Sequence, residues 1–260
     1  METLAIGLLG FFIAGYFVLG GADIGTGMML PYLGRDEAER RLVIASFAPF
    51  FLGNEVWLLA TAGVLIGCFP ELEGELLSGQ FVVVVPLLIG WVVRDSGLWL
   101  RGRAPGGSAV WRALCDGAVV YGSWAVALSW GRLFMALFSG SPGTPAPGPA
   151  AVLTALAVAA CFAVHGLGFA AVRLTGAPYE RARQLMGRTR PAQSLTLTAV
   201  LMAALPLLAG RLLPLYESAA DGATLALLVP LVLVITPLLV AVQAWLWRTF
   251  RHRVTGPSYL

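Results

Sequence analysis

The sequence predicts an all-α fold: a polytopic transmembrane helix bundle of about seven spans. Three observations predict it. Of 260 residues, 58% are hydrophobic and only 12% charged, about half the charge of an ordinary soluble domain. Mean hydropathy is +0.81. The apolar residues run in blocks of about twenty or more, the length that crosses hydrocarbon as a helix. Strands are excluded because the runs are too long and do not alternate. This composition also excludes a soluble enzyme, a disordered chain and a nucleic-acid binder. The pI near 9.0 is therefore not a nucleic-acid signal. All 17 basic residues are Arg.

The spans are expected at roughly 3–32, 44–69, 79–100, 112–138, 149–172, 193–213 and 223–247. The first is longer than a bilayer needs, so its C-terminal third is expected to project or tilt. The chain reads as one integral-membrane domain, with a four-helix part (1–138) and a three-helix part (149–247). The Pro/Gly/Ser segment 139–149 between them reads as a flexible connector. Pro86, Pro206, Pro230 and Pro237 lie inside spans and are expected to kink them. No basic stretch opens the chain, so a cleaved signal peptide is not expected.

Connecting segments give the orientation. Arg35, Arg40 and Arg41 stand in the first, and Glu71, Glu73 and Glu75 in the second. Arg94, Arg101, Arg103 and Arg112 flank the third, and the fourth is uncharged. Arg173, Arg181, Arg183, Arg188 and Arg190 occupy the fifth, Arg211 alone the sixth, and Arg248, Arg251 and Arg253 the tail. Positive charge on the cytosolic side then places the N-terminus outside and the C-terminus in the cytosol. Trp99, Trp111, Trp245 and Trp247 fall near cytosolic span ends, as an interfacial belt would.

Ionisable groups inside hydrocarbon are costly, so each is a functional candidate. They are Asp23, Glu55, Arg94, Asp95, Asp116, Arg132 and His165. Counting along a helix from Arg41, Glu55 lies about 21 Å in, near the middle of the membrane. Asp23, Glu55, Asp95, Asp116 and His165 all fall in the cytosolic half or near the midplane, the arrangement of a proton entry path. The plainer reading makes Arg94 and Asp95 interfacial, pairs Asp116 with a loop Arg, and lets Arg132 snorkel. For Glu55 the choices are protonation, a partner across a helix, or water. A haem at His165 would want a second axial His or Met, and the other His, His252, is in the tail, so His165 reads as a hydrogen-bonding or relay residue. Cys68, Cys115 and Cys161 read as isolated buried thiols, and no metal spacing exists. Two blocks stand out. Gly21 and Gly25 flank Asp23 among other small residues, which permit close helix contact. Gly53, Asn54, Glu55 and Trp57 fill one turn and a half of the second span.

At these blocks the sequence resembles subunit II of the cytochrome bd quinol oxidases. The resembling stretches are GGADIGTGMMLPYLGRDEAERR, APFFLGNEVWLLATAGVLIGCFP, SGQFVVVVPLLIGWVVRDSGLWLRGR and HGLGFAAVRLTGAPYERAR. They cover about residues 1–130 and 160–185. The resemblance implies a heterodimer with a haem-bearing subunit I, quinol as substrate of the complex, and oxygen as its acceptor. Subunit II would ligate no haem and no metal itself. It would supply scaffold, proton access and, in some members, a structural quinone. By motif position, Asp23 and Glu55 are the acids of the two signature blocks. Gly20 and Leu52 stand where the family usually carries further acids, and the family usually has eight helices. A small permease and a purely structural assembly subunit are the competing readings.

Overall fold

The computed structural model describes residues 1–103 and 108–256. Among them, eleven helices and no strand occur. They are α1 (Glu2–Met28), α2 (Leu30–Leu33), α3 (Glu37–Phe47), α4 (Phe51–Cys68), α5 (Pro70–Gly79), α6 (Phe81–Arg101), α7 (Ala109–Phe138), α8 (Gly148–Arg173), α9 (Gly176–Met186), α10 (Pro191–Gly210) and α11 (Gly222–Thr249). Local chemistry sets several starts. Asp36 caps α3 by accepting from the Glu39 amide at 2.9 Å, and Ser108 caps α7. Asp221 caps α11 through the amides of Ala223 and Thr224. Pro70, Pro149 and Pro191 stand in the first turns of α5, α8 and α10, where a missing N–H costs nothing.

Among the described residues six helices are long and apolar enough to cross a membrane: α1, α4, α6, α8, α10 and α11. The expected seventh span, 112–138, does form as α7, 30 residues long. It falls short in hydropathy because Tyr121, Ser123, Trp124, Ser129, Trp130 and Arg132 dilute its aliphatic residues. Those polar and aromatic groups suit its place between α6 and α8, where protein rather than lipid covers much of it.

α1 is the hub and packs against α4, α7, α8 and α10. Its C-terminal third does not project. Gly20 through Met28 are all buried, and the helix breaks at Met29 into the short α2. Small residues explain the burial. A Cβ at Gly25 would meet the Phe162 carbonyl oxygen at 1.9 Å, and one at Gly166 would meet the Gly25 carbonyl carbon at 2.1 Å. The backbones of α1 and α8 touch at this crossing, and Thr26 Oγ1 donates across it to the Gly166 carbonyl at 3.1 Å. Phe12, Phe17, Trp57, Phe134 and Phe162 fill the core on one side of the crossing; Phe47, Phe50 and Phe169 fill it on the other.

The second expected span is broken. Ala48–Phe50, with Pro49 at its centre, parts α3 from α4. The 139–149 connector is not slack. Gln80 Nε2 donates to the Pro142 carbonyl at 2.9 Å, and Gly79 lies so close to Gly143 that a Cβ would meet its carbonyl oxygen at 2.0 Å. Both follow from tertiary contacts that composition does not encode. Trp99 and Trp245 are exposed, as a belt requires, whereas Trp247 packs on Phe50 with ring centroids 4.9 Å apart.

The two ends of the bundle differ in charge. At one end Arg40, Arg101, Arg112 and Arg181 meet Glu37, Glu39 and Asp116. The other end carries α5 with Glu71, Glu73 and Glu75.

Candidate functional site

Three helices bring four ionisable groups together near the Arg-rich end. Asp23 lies five residues before the end of α1, Glu55 four residues into α4, and Arg94 seven residues before the end of α6. At 1.5 Å per residue these are axial depths of about 8, 6 and 10 Å, one common level. Glu55 is therefore not at the middle of its span. The count from Arg41 assumed one straight helix, and the Pro49 break removes that assumption.

Arg94 is the centre, 1% exposed. Its Nη2 donates to Asp23 Oδ1 at 2.9 Å. Its Nη1 donates to Asp95 Oδ1 at 2.8 Å and to Glu55 Oε1 at 3.3 Å. The interfacial reading of Arg94 fails here, because α1, α4 and α7 enclose it. Asp95, the next residue, stays at the margin and is partly exposed. Asp23 accepts a second bond, from Asn54 Nδ2 at 3.0 Å, and the same nitrogen also reaches the Leu19 carbonyl at 3.0 Å. Glu55 accepts a second bond from Trp91 Nε1 at 2.9 Å. Gln243 of α11 closes the group: its Nε2 donates to Asn54 Oδ1 at 2.9 Å, and its Oε1 accepts from Trp57 Nε1 at 3.2 Å.

Charge decides what this cluster can do. One guanidinium faces three carboxyls. Three bare carboxylates around one cation would leave net negative charge in a site shielded from water, at a cost of several kcal/mol. A proton on one or more of these acids would relieve that cost. Asp23 accepts at both oxygens, as a carboxylate does, whereas Glu55 and Asp95 share one guanidinium nitrogen. Both keep some exposure, with side chains 13% and 18% accessible. Asp95 lines a shallow groove on the outer face of α6 with Trp91, Ser96 and Trp99.

The other sequence candidates lie apart. Asp116 pairs with Arg101 Nε at 2.5 Å and with Arg40 Nη1 at 3.6 Å, in agreement with the plainer reading. His165 is 1% exposed; its Nε2 bonds the Val18 carbonyl at 2.8 Å and its Nδ1 meets Thr198 Oγ1 at 2.7 Å. Both ring nitrogens are thus engaged within the chain, which does not fit an axial haem ligand. Arg132 is half-buried. Among the described residues no group of three or more His, Cys, Asp or Glu could hold a metal. Gly21 and Gly53 admit neighbouring side chains: a Cβ would meet Met202 Cε at 2.5 Å and Leu246 Cδ2 at 2.8 Å respectively. Sequence reasoning missed Trp91 and Gln243. A lone amide in a 28-residue apolar helix was the available signal for Gln243.

Outside the bundle, the Arg181 guanidinium bonds both oxygens of Glu39, and the Arg35 amide adds a third bond. Together they hold the Glu39 carboxyl low, at about 2.

The sequence pattern of cytochrome bd terminal oxidase subunit II matches residues 1–216. The chain belongs to that family. Among curated proteins it is 36% identical over 135 residues to cytochrome bd ubiquinol oxidase subunit 2 of Bacillus subtilis, covering 52% of this chain and 39% of the relative. It is 33% identical over 135 residues to cytochrome bd-I ubiquinol oxidase subunit 2 of Escherichia coli, covering 52% and 35%. A probable cytochrome oxidase subunit 2 of Haemophilus influenzae is 32% identical over 130 residues, covering 50% and 34%. The matched stretch thus spans little more than a third of each relative's length. The family match ends at residue 216, so α11 and Gln243 lie beyond it.

Proposed function

We propose that this chain is the non-haem subunit of a cytochrome bd-type quinol oxidase in the bacterial cell membrane. A haem-bearing subunit I would be its partner, quinol the substrate and oxygen the acceptor, with haems and quinol oxidation on the partner. The observation that carries the reading is the Asp23–Arg94–Glu55–Asp95 cluster, set within a chain of the subunit II family. A purely structural subunit has little use for a buried site with more carboxyls than cations. In this reading Glu55 and Asp95 take up protons from the Arg-rich side, and Arg94 and Asp23 hold them in place.

The N-terminus faces outside and the C-terminus the cytosol. Two features support this: Arg residues crowd one end of the bundle, and the acids of α5 lie at the other. The shallow α6 groove beside Asp95 supports a partner there. Half-open carboxyls and two Trp rings suit a protein neighbour better than lipid tails.

The test is purification of the tagged chain from its own membrane. A haem-bearing polypeptide should come with it, and the pair should consume oxygen with quinol. Solute flux by the chain alone, without a haem partner, would replace this reading with the permease. Reporter fusions at Glu73 and Arg183 should report opposite sides of the membrane; a cytosolic signal at Glu73 would reverse the topology.

A further inference from the structure

α11 is nearly all outward-facing. Its buried residues are Leu225, Val229 and Gln243. Gln243 is 8% exposed and occupies the seam between α11 and α4. Its amide orientation follows from chemistry at both ends of a chain of bonds. The Trp57 indole N–H can only donate, so the atom facing it is Gln243 Oε1. That leaves Gln243 Nε2 to donate to Asn54 Oδ1. At the far end the Leu19 carbonyl can only accept, so Asn54 must present its Nδ2 there, and that same nitrogen donates to Asp23 Oδ2. Donor-only and acceptor-only termini thus fix both amides, and with them the role of Asp23.

We propose that Gln243 is a positioning residue: through Asn54 it holds Asp23 as a hydrogen-bond acceptor and confines the exchangeable proton to Glu55 and Asp95. Without Gln243, Asn54 loses the donor at its oxygen, and among neutral groups the Leu19 carbonyl alone is left to hold its nitrogen toward Asp23. A turned amide would put its oxygen against the Asp23 carboxylate, a contact that becomes favourable only when Asp23 takes a proton and donates. The helix that supplies this control lies beyond the matched residues 1–216. The proposal rests on the cluster handling protons, and its first readout does not depend on oxygen uptake.

The experiment compares Gln243→Met, which keeps side-chain length without the bonds, with Trp57→Phe, which removes the donor that orients Gln243. Leu225→Ala serves as a control that loosens α11 by packing alone. Infrared spectra of the purified complex, or of the full chain, read protonated carboxyls at pH 7. Both variants should gain a carboxyl band that disappears when Asp23→Asn is added, while Leu225→Ala gains none. If the complex respires as proposed, the pH profile of its oxygen uptake should shift by about one unit in Gln243→Met, the size of one hydrogen bond to a charged group, and stay in place in Leu225→Ala. An unchanged carboxyl spectrum in the folded variants overturns the proposal. So does failure of both variants to fold while Leu225→Ala folds, since the amide would then be structural. Absence of oxygen uptake in the unaltered complex would count against the oxidase reading and leave the infrared result standing.

Discussion

The molecule carries two ionic clusters about two helical turns apart in depth, and they are built on opposite terms. At the Arg-rich end, Arg40, Arg101 and Arg112 face Asp116 and Glu37, and Arg181 faces Glu39. Cations there match or outnumber acids, and Glu37 is 42% exposed. In the buried cluster one cation serves three acids, and Arg94 and Asp23 have side chains only 2% and 3% accessible. The outer cluster is charge-balanced: Arg101 and Asp116 are buried while Glu37 and Arg40 reach water, so its bonds serve mainly to tie α3, α6, α7 and α9 together. At the inner one three acids share a single buried cation, so the charge is left unbalanced where it is costly. What separates the two clusters is the number of acids per cation, not residue type.

Removing the cation should break the contrast most severely. Arg94→Ala leaves three carboxyls without a counter-charge and is expected to cost about 3–5 kcal/mol, the usual penalty for orphaning a buried ion pair. Thermal unfolding in detergent would measure it, and a loss below about 1 kcal/mol would mean that water reaches the site freely. Glu55→Gln keeps shape but cannot exchange a proton. In the proposed oxidase complex, assembly and the partner's haem spectra should stay intact, while quinol-driven oxygen uptake falls roughly tenfold or more. Glu55→Ala should also weaken assembly by leaving Trp91 Nε1 unpaired. Full turnover in an assembled Glu55→Gln complex would make Glu55 a structural residue.

The outer cluster should respond more mildly. Asp116→Asn removes a charge from Arg101, which retains Glu37, so a loss of about 1–3 kcal/mol is expected with no change in the pH profile of uptake. Smallest is Glu39→Gln, below about 1 kcal/mol. Its sign with pH is fixed. The Glu39 carboxyl is held at about 2, below its ordinary 4.5, so the stability it adds is full above about 4.5 and lost as pH falls toward 2. The melting difference between the native chain and Glu39→Gln should therefore shrink over that window, and a difference that grew on acidification would contradict the pairing with Arg181.

Much of the fold was legible because a span is a local property. Long apolar runs mark helices without knowledge of their neighbours, and alternating Arg-rich connections order the two ends. The errors arose where tertiary contact overrides local pattern. Segment 139–149 looks slack by composition, yet Gln80 and Gly79 hold it. The tail of α1 looked too long for the membrane, yet its small residues are what α8 packs against. In the site, Asp23 and Glu55 were visible as acids in distinctive blocks. Arg94 was misjudged because it stands one residue from Asp95 and two turns from Arg101, which reads as an interface along one helix. Its true partners come from α1 and α4, 71 and 39 positions away. Gln243 lies 189 positions from Asn54, a pairing that no spacing rule could suggest.

The same separation has a consequence for how the chain is made. Synthesis runs from the N-terminus, so α1 reaches the membrane 71 residues before Arg94 exists to meet Asp23. A lone carboxylate in hydrocarbon costs several kcal/mol, so the newborn α1 inserts more cheaply with Asp23 neutral. The glycine face around it has no α8 to lean on at that stage either. When α6 arrives, its guanidinium supplies the counter-charge that Asp23 lacked. A half-made protein thus carries the acid without its cation, and only the finished one holds both.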